Sequence, residues 1–450
     1  MPIPAEHTHR TVSHFTHIEN LPEILEHGLL STNEKDRLGI GHNTIAYNDI
    51  QCRRAEMQVP CGTGGLVHDY VPLYFCIRSP MLNAVVTNKI ADEQLIVYLE
   101  FPISIMDRYS YVFTDASANT FDPPNFFTDP SDLNRIDWNA VQTWKWSSKH
   151  DEGNNRPIRQ RKMAELLIHR HLPITEILRV VVWNNTFKED VVKIFDEAGL
   201  VCPTVIAGEK KYYFYKNSEN LPSVIGPRFI KIRFDKTINE ISDTERPAPE
   251  NTRYAGPGGL LNALSVSLEA LPETAELVGL GTENPMHGID VGEHTLAVVN
   301  GLTGIPEFEC LEPNDRYRVK IAAYLHDIGK GPRSRWPDGR QRVDEDHPVK
   351  ALPMLKRILT KEIVNVHERT IKTLCKLVCY HDIIGGIIAH GRRAEELEEI
   401  IEDKRDLDML IALCKADINA INVGWCNDVA IDRLKERIVR ALNERAAVKL

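Results

Sequence analysis

Apolar positions keep two different rhythms along the chain, and the change of rhythm divides it. Up to about residue 215 the pattern is mixed. Leu21 to Leu30 carries apolar residues at helical spacing, with Gly28 as the stop. Val71–Phe75, Leu95–Leu99, Leu178–Trp183 and Tyr212–Tyr215 are short apolar runs of strand type. Asp115 to Leu133, rich in Asp, Asn, Pro and Thr, reads as a long loop, and loops of that length in a compact domain tend to serve function. From Leu260 onward helical spacing dominates, through Ile321–His326, Ile371–Tyr380, Ala394–Ile401 and Leu407–Ala416. It ends in the stripe Ile431, Leu434, Ile438, Leu442. The Pro- and Gly-rich stretch 217–259 between the two rhythms reads as a linker, and within it Phe229–Phe234 alternates apolar with basic like an edge strand. The expected plan is a domain over 1–216, a linker over 217–259 and a helical domain over 260–450.

Composition adds bounds. At 450 residues the chain exceeds the usual size of one domain. It is 42% apolar and 26% charged, no apolar run reaches the length of a bilayer span, and no secretory signal is recognisable at Met1–Glu6. The nine cysteines form no CxxC pair, which argues for a reducing, cytoplasmic setting without membrane attachment. A net charge of −10 excludes indiscriminate binding of polyanions, so contact with nucleic acid would depend on local groups such as Arg53–Arg54 and the four basic residues between Arg156 and Lys162.

The helical half carries His294, then His326-Asp327 in Tyr324-Leu-His-Asp-Ile-Gly-Lys330, then His347, His381 and Asp417. Imidazoles with carboxylates suit divalent ions of the Mn, Fe, Ni, Zn or Mg type. Such ions neutralise charge and lower the pKa of a bound water in phosphoester hydrolysis. From about Met286 to Asp417 this region resembles the HD phosphohydrolase superfamily, most nearly the HD domains fused to tRNA nucleotidyltransferases. The resemblance implies an all-α HD domain. In it His294, His326, Asp327 and Asp417 hold one metal, His347 and His381 supply a second, Asp327 bridges the two, and Lys330 faces the phosphate of a nucleotide or other phosphoester.

The first half poses a different chemistry. Breaking the nicotinamide glycosidic bond of NAD builds an oxocarbenium-like ribose, which needs a nearby carboxylate and a clamp on the nicotinamide amide. His14 and Thr16, two apart on an extended segment, project to one face and suit the clamp. Glu165, at the end of a basic, helix-like stretch, suits the carboxylate. His14-Phe-Thr16, Asn20–Leu29, Ile45-Ala-Tyr47, Arg53-Arg54-Ala55, Val71–Phe75, Arg78–Leu82 and Arg161–Leu167 together resemble DarT, the DNA ADP-ribosyltransferase toxin family, in order over about residues 10 to 215.

That resemblance implies an α+β ADP-ribosyltransferase-like fold, NAD as cosubstrate and a base in single-stranded DNA, typically thymidine, as acceptor. His14, Thr16, Asn20, Tyr47 and Tyr74 would bind NAD, although core packing is the simplest reading of Tyr74, Phe75 and Met81. Glu165 and one of Arg53 or Arg54 would act at the reaction centre, and the Arg156–Lys162 cluster would contact phosphates. An antitoxin protein is a further partner the family implies. The segment Phe113–Asn119 lacks the histidine that often follows this Phe-Thr-Asp loop, which leaves guanine, or RNA, open as the acceptor. Two rival readings remain: an NAD-using RNA-processing enzyme, against which Glu165 speaks, and an ADP-ribosyltransferase gated by a non-catalytic, nucleotide-binding HD domain.

Overall fold

The computed structural model describes residues 2–120, 122–146, 156–215, 224–245, 252–283 and 288–448. The chain forms two compact units, Met1–Leu221 and Pro222–Leu450.

The first unit has ten strands among its described residues. They are β1 (Thr11–His17), β2 (Leu29–Leu30), β3 (Tyr70–Tyr74), β4 (Ile96–Pro102), β5 (Tyr111–Thr114), β6 (Phe126–Phe127), β7 (Glu165–His169), β8 (His171–Leu172), β9 (Arg179–Val182) and β10 (Thr204–Ala207). Eight of them form one sheet in the order β10-β9-β4-β1-β3-β7-β5-β6, and β2 pairs with β8 apart from it. Only β10 runs parallel to its neighbour, β9. The central strands are apolar on both faces, as in Ile96, Val97, Tyr98 and Leu99 of β4 or Leu166, Leu167 and Ile168 of β7, because the sheet is covered on both sides.

The helix at Leu21–His27 ends where expected, at Gly28, whose φ of 75° favours glycine. An added Cβ there would lie 2.3 Å from His171 Nε2. The expected strand at Tyr212–Tyr215 is absent. Tyr212 and Tyr213 are buried in turns, where the Tyr212 hydroxyl donates to Glu100 Oε1 at 2.6 Å, and Thr204–Ala207 supplies the edge strand instead. Aromatic content there reflects burial rather than ladder pairing. The long loop from Asp115 holds β6 and a short turn of helix at Pro130–Arg135.

In the second unit the described segments are almost entirely helical, around one continuous apolar core. Here the linker reading needs correction. Phe229–Phe234 is no edge strand, because it belongs to the helix Pro227–Asp243. Ile230, Phe234 and Ile241 of that helix are buried in the core, with Ile238 packed against it. The spacing of four, four and three is helical, and a six-residue window was too short to reveal it. A second helix, Pro257–Val266, begins before the expected boundary. Positions 216–223 and 246–251 of the linker lie outside the described residues, as does Met286.

Candidate functional site

In the first unit, β1 and β3 converge with the loops around residues 40–47 and 117–119 on a cavity of about 350 Å³. His14, Thr16, Asn20, Tyr47, Arg54 and Tyr74 all line it. His14 and Thr16 stand on alternate positions of β1 and share a face. The His14 Nδ1 lies 3.0 Å from the Pro72 carbonyl, which can only accept, so the ring presents Nε2 as its free acceptor. Burial, with Lys35 and His42 adding to it against the Pro72 hydrogen bond, lowers the His14 imidazole to about 4, so it is neutral at pH 7. Asn20 is a brace. Its amide donates to Thr16 Oγ1 at 2.9 Å and to the Asn43 carbonyl at 3.0 Å, and its Oδ1 accepts from the Asn43 N–H at 2.7 Å. Its polar atoms orient Thr16 and the neighbouring loop. Tyr47 accepts a hydrogen bond from Asn88 at 2.6 Å, and Tyr74 stacks on Phe15 at 5.3 Å between ring centroids.

Glu165 opens strand β7 directly opposite Tyr74, so it does not stand on a helix as its basic surroundings suggested. The short helix Ile158–Arg161 ends before it. Its side chain is fully buried. Both carboxylate oxygens accept from the Arg54 guanidinium at 3.0 Å, and Oε1 also accepts the Ala118 N–H at 3.1 Å. Burial opposes the charge on Arg54, but Glu165 and Tyr74 outweigh it and raise the guanidinium. Two parallel charge-assisted bonds fix the carboxylate's plane as well as its place. The two arginines left open as candidates lie in different surroundings. Arg54 faces the pocket and Glu165, whereas Arg53 is exposed and donates to the Asn119 carbonyl at 3.1 Å.

The Arg156–Lys162 cluster is mostly structural. Arg161 pairs with Asp137, and the Lys162 ammonium donates to the Val141 and Thr143 carbonyls at 2.7 and 2.9 Å. Arg156 donates to the carbonyls of Asp122 and Pro123, and Arg159 alone of the four is exposed. Reading the sequence did not find Ala118, because its contribution is a backbone N–H that leaves no trace in residue type.

In the second unit, the helices Val291–Gly301, Pro313–Leu325, His347–Arg357 and Lys404–Ile421, with the ends of Glu368–Cys379 and Ile383–His390, bring six expected residues together. Ligand atoms of His294, His326 and Asp417 lie within 4.8 Å of one another, and so do those of Asp327, His347 and His381. Asp327 stands between the groups. Its Oδ2 is 3.3 Å from His326 Nε2 and 3.8 Å from His294 Nε2, while its Oδ1 is 3.2 Å from His347 Nε2 and 4.0 Å from His381 Nε2. A third grouping adds Asp382 to His381 and Asp417. The sequence reading missed it, although it adjoins His381.

The donor chemistry fits a cation. His326, His347 and His381 each place Nδ1 2.8–2.9 Å from a backbone carbonyl, of Ala323, Asp344 and Val378. Each Nδ1 therefore carries a proton, which leaves Nε2 of each ring turned inward as the available ligand atom. Two such atoms, on His347 and His381, meet at 3.1 Å, where lone pairs repel unless a proton or a metal lies between them. Burial pulls His326 down, but Asp327 and Asp417 outweigh it and raise the imidazole to about 9, a measure of how strongly the cluster holds positive charge. Lys330 donates to Asp327 Oδ2 at 2.7 Å, so it is engaged with the motif aspartate.

Residues 13–214 match the family model described as ssDNA thymidine ADP-ribosyltransferase, DarT, and residues 291–411 match the HD domain model. A DNA ADP-ribosyl transferase from Thermus sp. (strain 2.9) is 33% identical over 192 residues, 41% of this chain and 87% of that protein. The solved structure "Thermus sp. 2.9 DarT in complex with ADP-ribosylated ssDNA" is similar at 31% identity, over 48% of this chain and 99% of that one, with a TM-score of 0.41. A Multifunctional CCA protein from Ectopseudomonas mendocina (strain ymp) is 29% identical over 130 residues, 28% of this chain and 26% of that protein.

Proposed function

The chain belongs to the DarT family of DNA ADP-ribosyltransferases and carries an HD domain, and from that premise we propose that it transfers ADP-ribose from NAD to a base of single-stranded DNA. Thymidine, named in the family description, is the first acceptor to test. The bond between ribose C1 and nicotinamide breaks, nicotinamide departs, and a ring nitrogen of the base takes its place and loses its proton. The observation that supports this most is Glu165 held flat against Arg54 beside the His14–Thr16 cavity. A carboxylate already oriented meets developing positive charge on the ribose without reorganisation. Neutral His14 and braced Thr16 present acceptor and hydroxyl groups for the amide and ribose hydroxyls of NAD. A base within a duplex cannot reach such a cavity, so single strands are the preferred acceptor.

For the HD unit we propose a metal-dependent phosphohydrolase acting on a nucleotide or other phosphoester. His294, His326 and Asp417 would hold one divalent ion, His347 and His381 a second, with Asp327 between them. The ions would supply charge neutralisation and an acidified water. Lys330, tied to Asp327, orients that carboxylate. Among the described residues no helix is long and apolar enough to cross a membrane. A cytoplasmic toxin or anti-phage role, neutralised by an antitoxin, follows from the family and belongs to this proposal.

Incubating the protein with labelled NAD and pools of single-stranded DNA and RNA tests the transferase. Label on DNA that is lost in Glu165→Gln supports it, and label on RNA alone overturns the DNA assignment.

A further inference from the structure

The first unit carries a row of alternating cations and aromatic rings that the reaction centre does not use. Arg78 lies under the indole of Trp144, its guanidinium carbon 3.6 Å from the ring centroid. The same guanidinium is 5.2 Å from the centroid of Phe214, and its Nη1 donates to the Tyr213 carbonyl at 3.1 Å. Phe214 meets Trp146 edge-on at 6.0 Å, and the Lys162 ammonium lies 5.6 Å from the Trp146 centroid. Most of this row is packed, yet Trp144 at its end is 59% exposed.

The row stands at the same end of the sheet as Glu165. Strands β3 and β7 are antiparallel with Tyr74 opposite Glu165. Arg78 follows Tyr74 by four positions and Lys162 precedes Glu165 by three, so both lie beyond that end. Met81, three positions after Arg78 and in the first turn of the helix Pro80–Thr87, lines the cavity itself.

An exposed indole held rigid from below by a guanidinium offers one free π face with positive charge behind it. Every base has a π face, and stacking on such platforms binds unpaired strands without regard to sequence. The chain's net charge of −10 means that a polyanion must be held by local groups of this kind. Resting on the single-stranded DNA reading above, we propose that Trp144, backed by Arg78, stacks an unpaired base of the acceptor strand flanking the base modified in the cavity.

The test uses the full chain with Trp144→Ala and Trp144→Phe. Binding of a fluorescent 20-nucleotide single strand, its KM as acceptor and the affinity for NAD are measured together. Loss of one stacked base weakens binding about tenfold. Trp144→Ala is therefore expected to raise both Kd and KM for the strand about tenfold, with kcat and NAD affinity unchanged. Trp144→Phe recovers most of the loss, and the shortest acceptor that wild type modifies is affected least. If wild type modifies DNA and Trp144→Ala binds the 20-mer equally well, the platform is overturned while the transferase reading stands. A wild type that neither binds nor modifies single-stranded DNA overturns both.

Discussion

The two units solve opposite electrostatic problems. In the first, the buried carboxylate of Glu165 arrives with its own counter-charge, because Arg54 covers both oxygens. In the second, Asp327 and Asp417 face four imidazoles, and three of these donate Nδ1–H to backbone carbonyls and turn Nε2 inward. Under the proposed functions, one site is complete when folded and would meet a substrate that develops positive charge. The other, although Lys330 reaches Asp327 Oδ2, gathers imidazole and carboxylate donors that, under the proposed function, would hold a cation. The lesson is that a buried carboxylate's function is read from what neutralises it. A guanidinium covering both oxygens suits Glu165 to an electrostatic role, whereas Asp327, held by Lys330 at Oδ2 and lying among imidazoles, would suit a ligand's.

The largest expected effects separate the units outright. Asp327→Ala removes the carboxylate shared by both donor groups, so elemental analysis should find the bound metal lost and phosphoester hydrolysis abolished, with ADP-ribose transfer unchanged. Full metal content in that variant would remove the bridging assignment. Glu165→Gln should do the converse, cutting transfer at least about 10²–10³-fold while leaving metal content and NAD binding intact. Arg54→Ala comes next. It strands a fully buried carboxylate, at a cost of about 3–5 kcal/mol. Denaturation of the full chain should show that loss in the transition that NAD shifts, and an unchanged transition would mean that the pair does not neutralise Glu165. His347→Ala should be milder, since it strips one donor group and leaves the His294–His326–Asp417 set to hold one ion.

The smallest effect is a pH dependence confined to the first unit. His14 titrates near 4 when folded, against 6.5 for an ordinary imidazole. Between those values the unfolded chain holds a proton that the folded chain lacks, so stability falls as pH drops through that window and is fully present above it. The contribution is at most about 3 kcal/mol. His14→Gln should flatten the slope of the NAD-sensitive transition between pH 6.5 and 4, and a slope that persists would place the titrating group elsewhere.

Much of both sites was written in order and spacing. The His294, His326-Asp327, His347, His381, Asp417 series and the His14–Thr16 pair needed no coordinates, because residue type carries ligand chemistry and a two-residue step on a strand keeps one face. The helical half was legible for the same reason, since long apolar stripes have one consistent period. What sequence could not decide were questions of direction. Arg53 and Arg54 are neighbours that leave a helix about 100° apart, and only the packing of Asn48–Glu56 turns Arg54 toward Glu165 and Arg53 to solvent. The basic run before Glu165 looked like a surface for phosphates, yet Arg161 and Lys162 are spent inside on Asp137 and on backbone carbonyls. Phe229–Phe234 passed for a strand because six residues cannot distinguish the two periods, and the burial of Ile238 and Ile241 further along settles it. Residue identity sets which chemistry is available, but whether a charge meets solvent, a partner or an ion depends on contacts between segments far apart in the chain, and those exist only once it has folded.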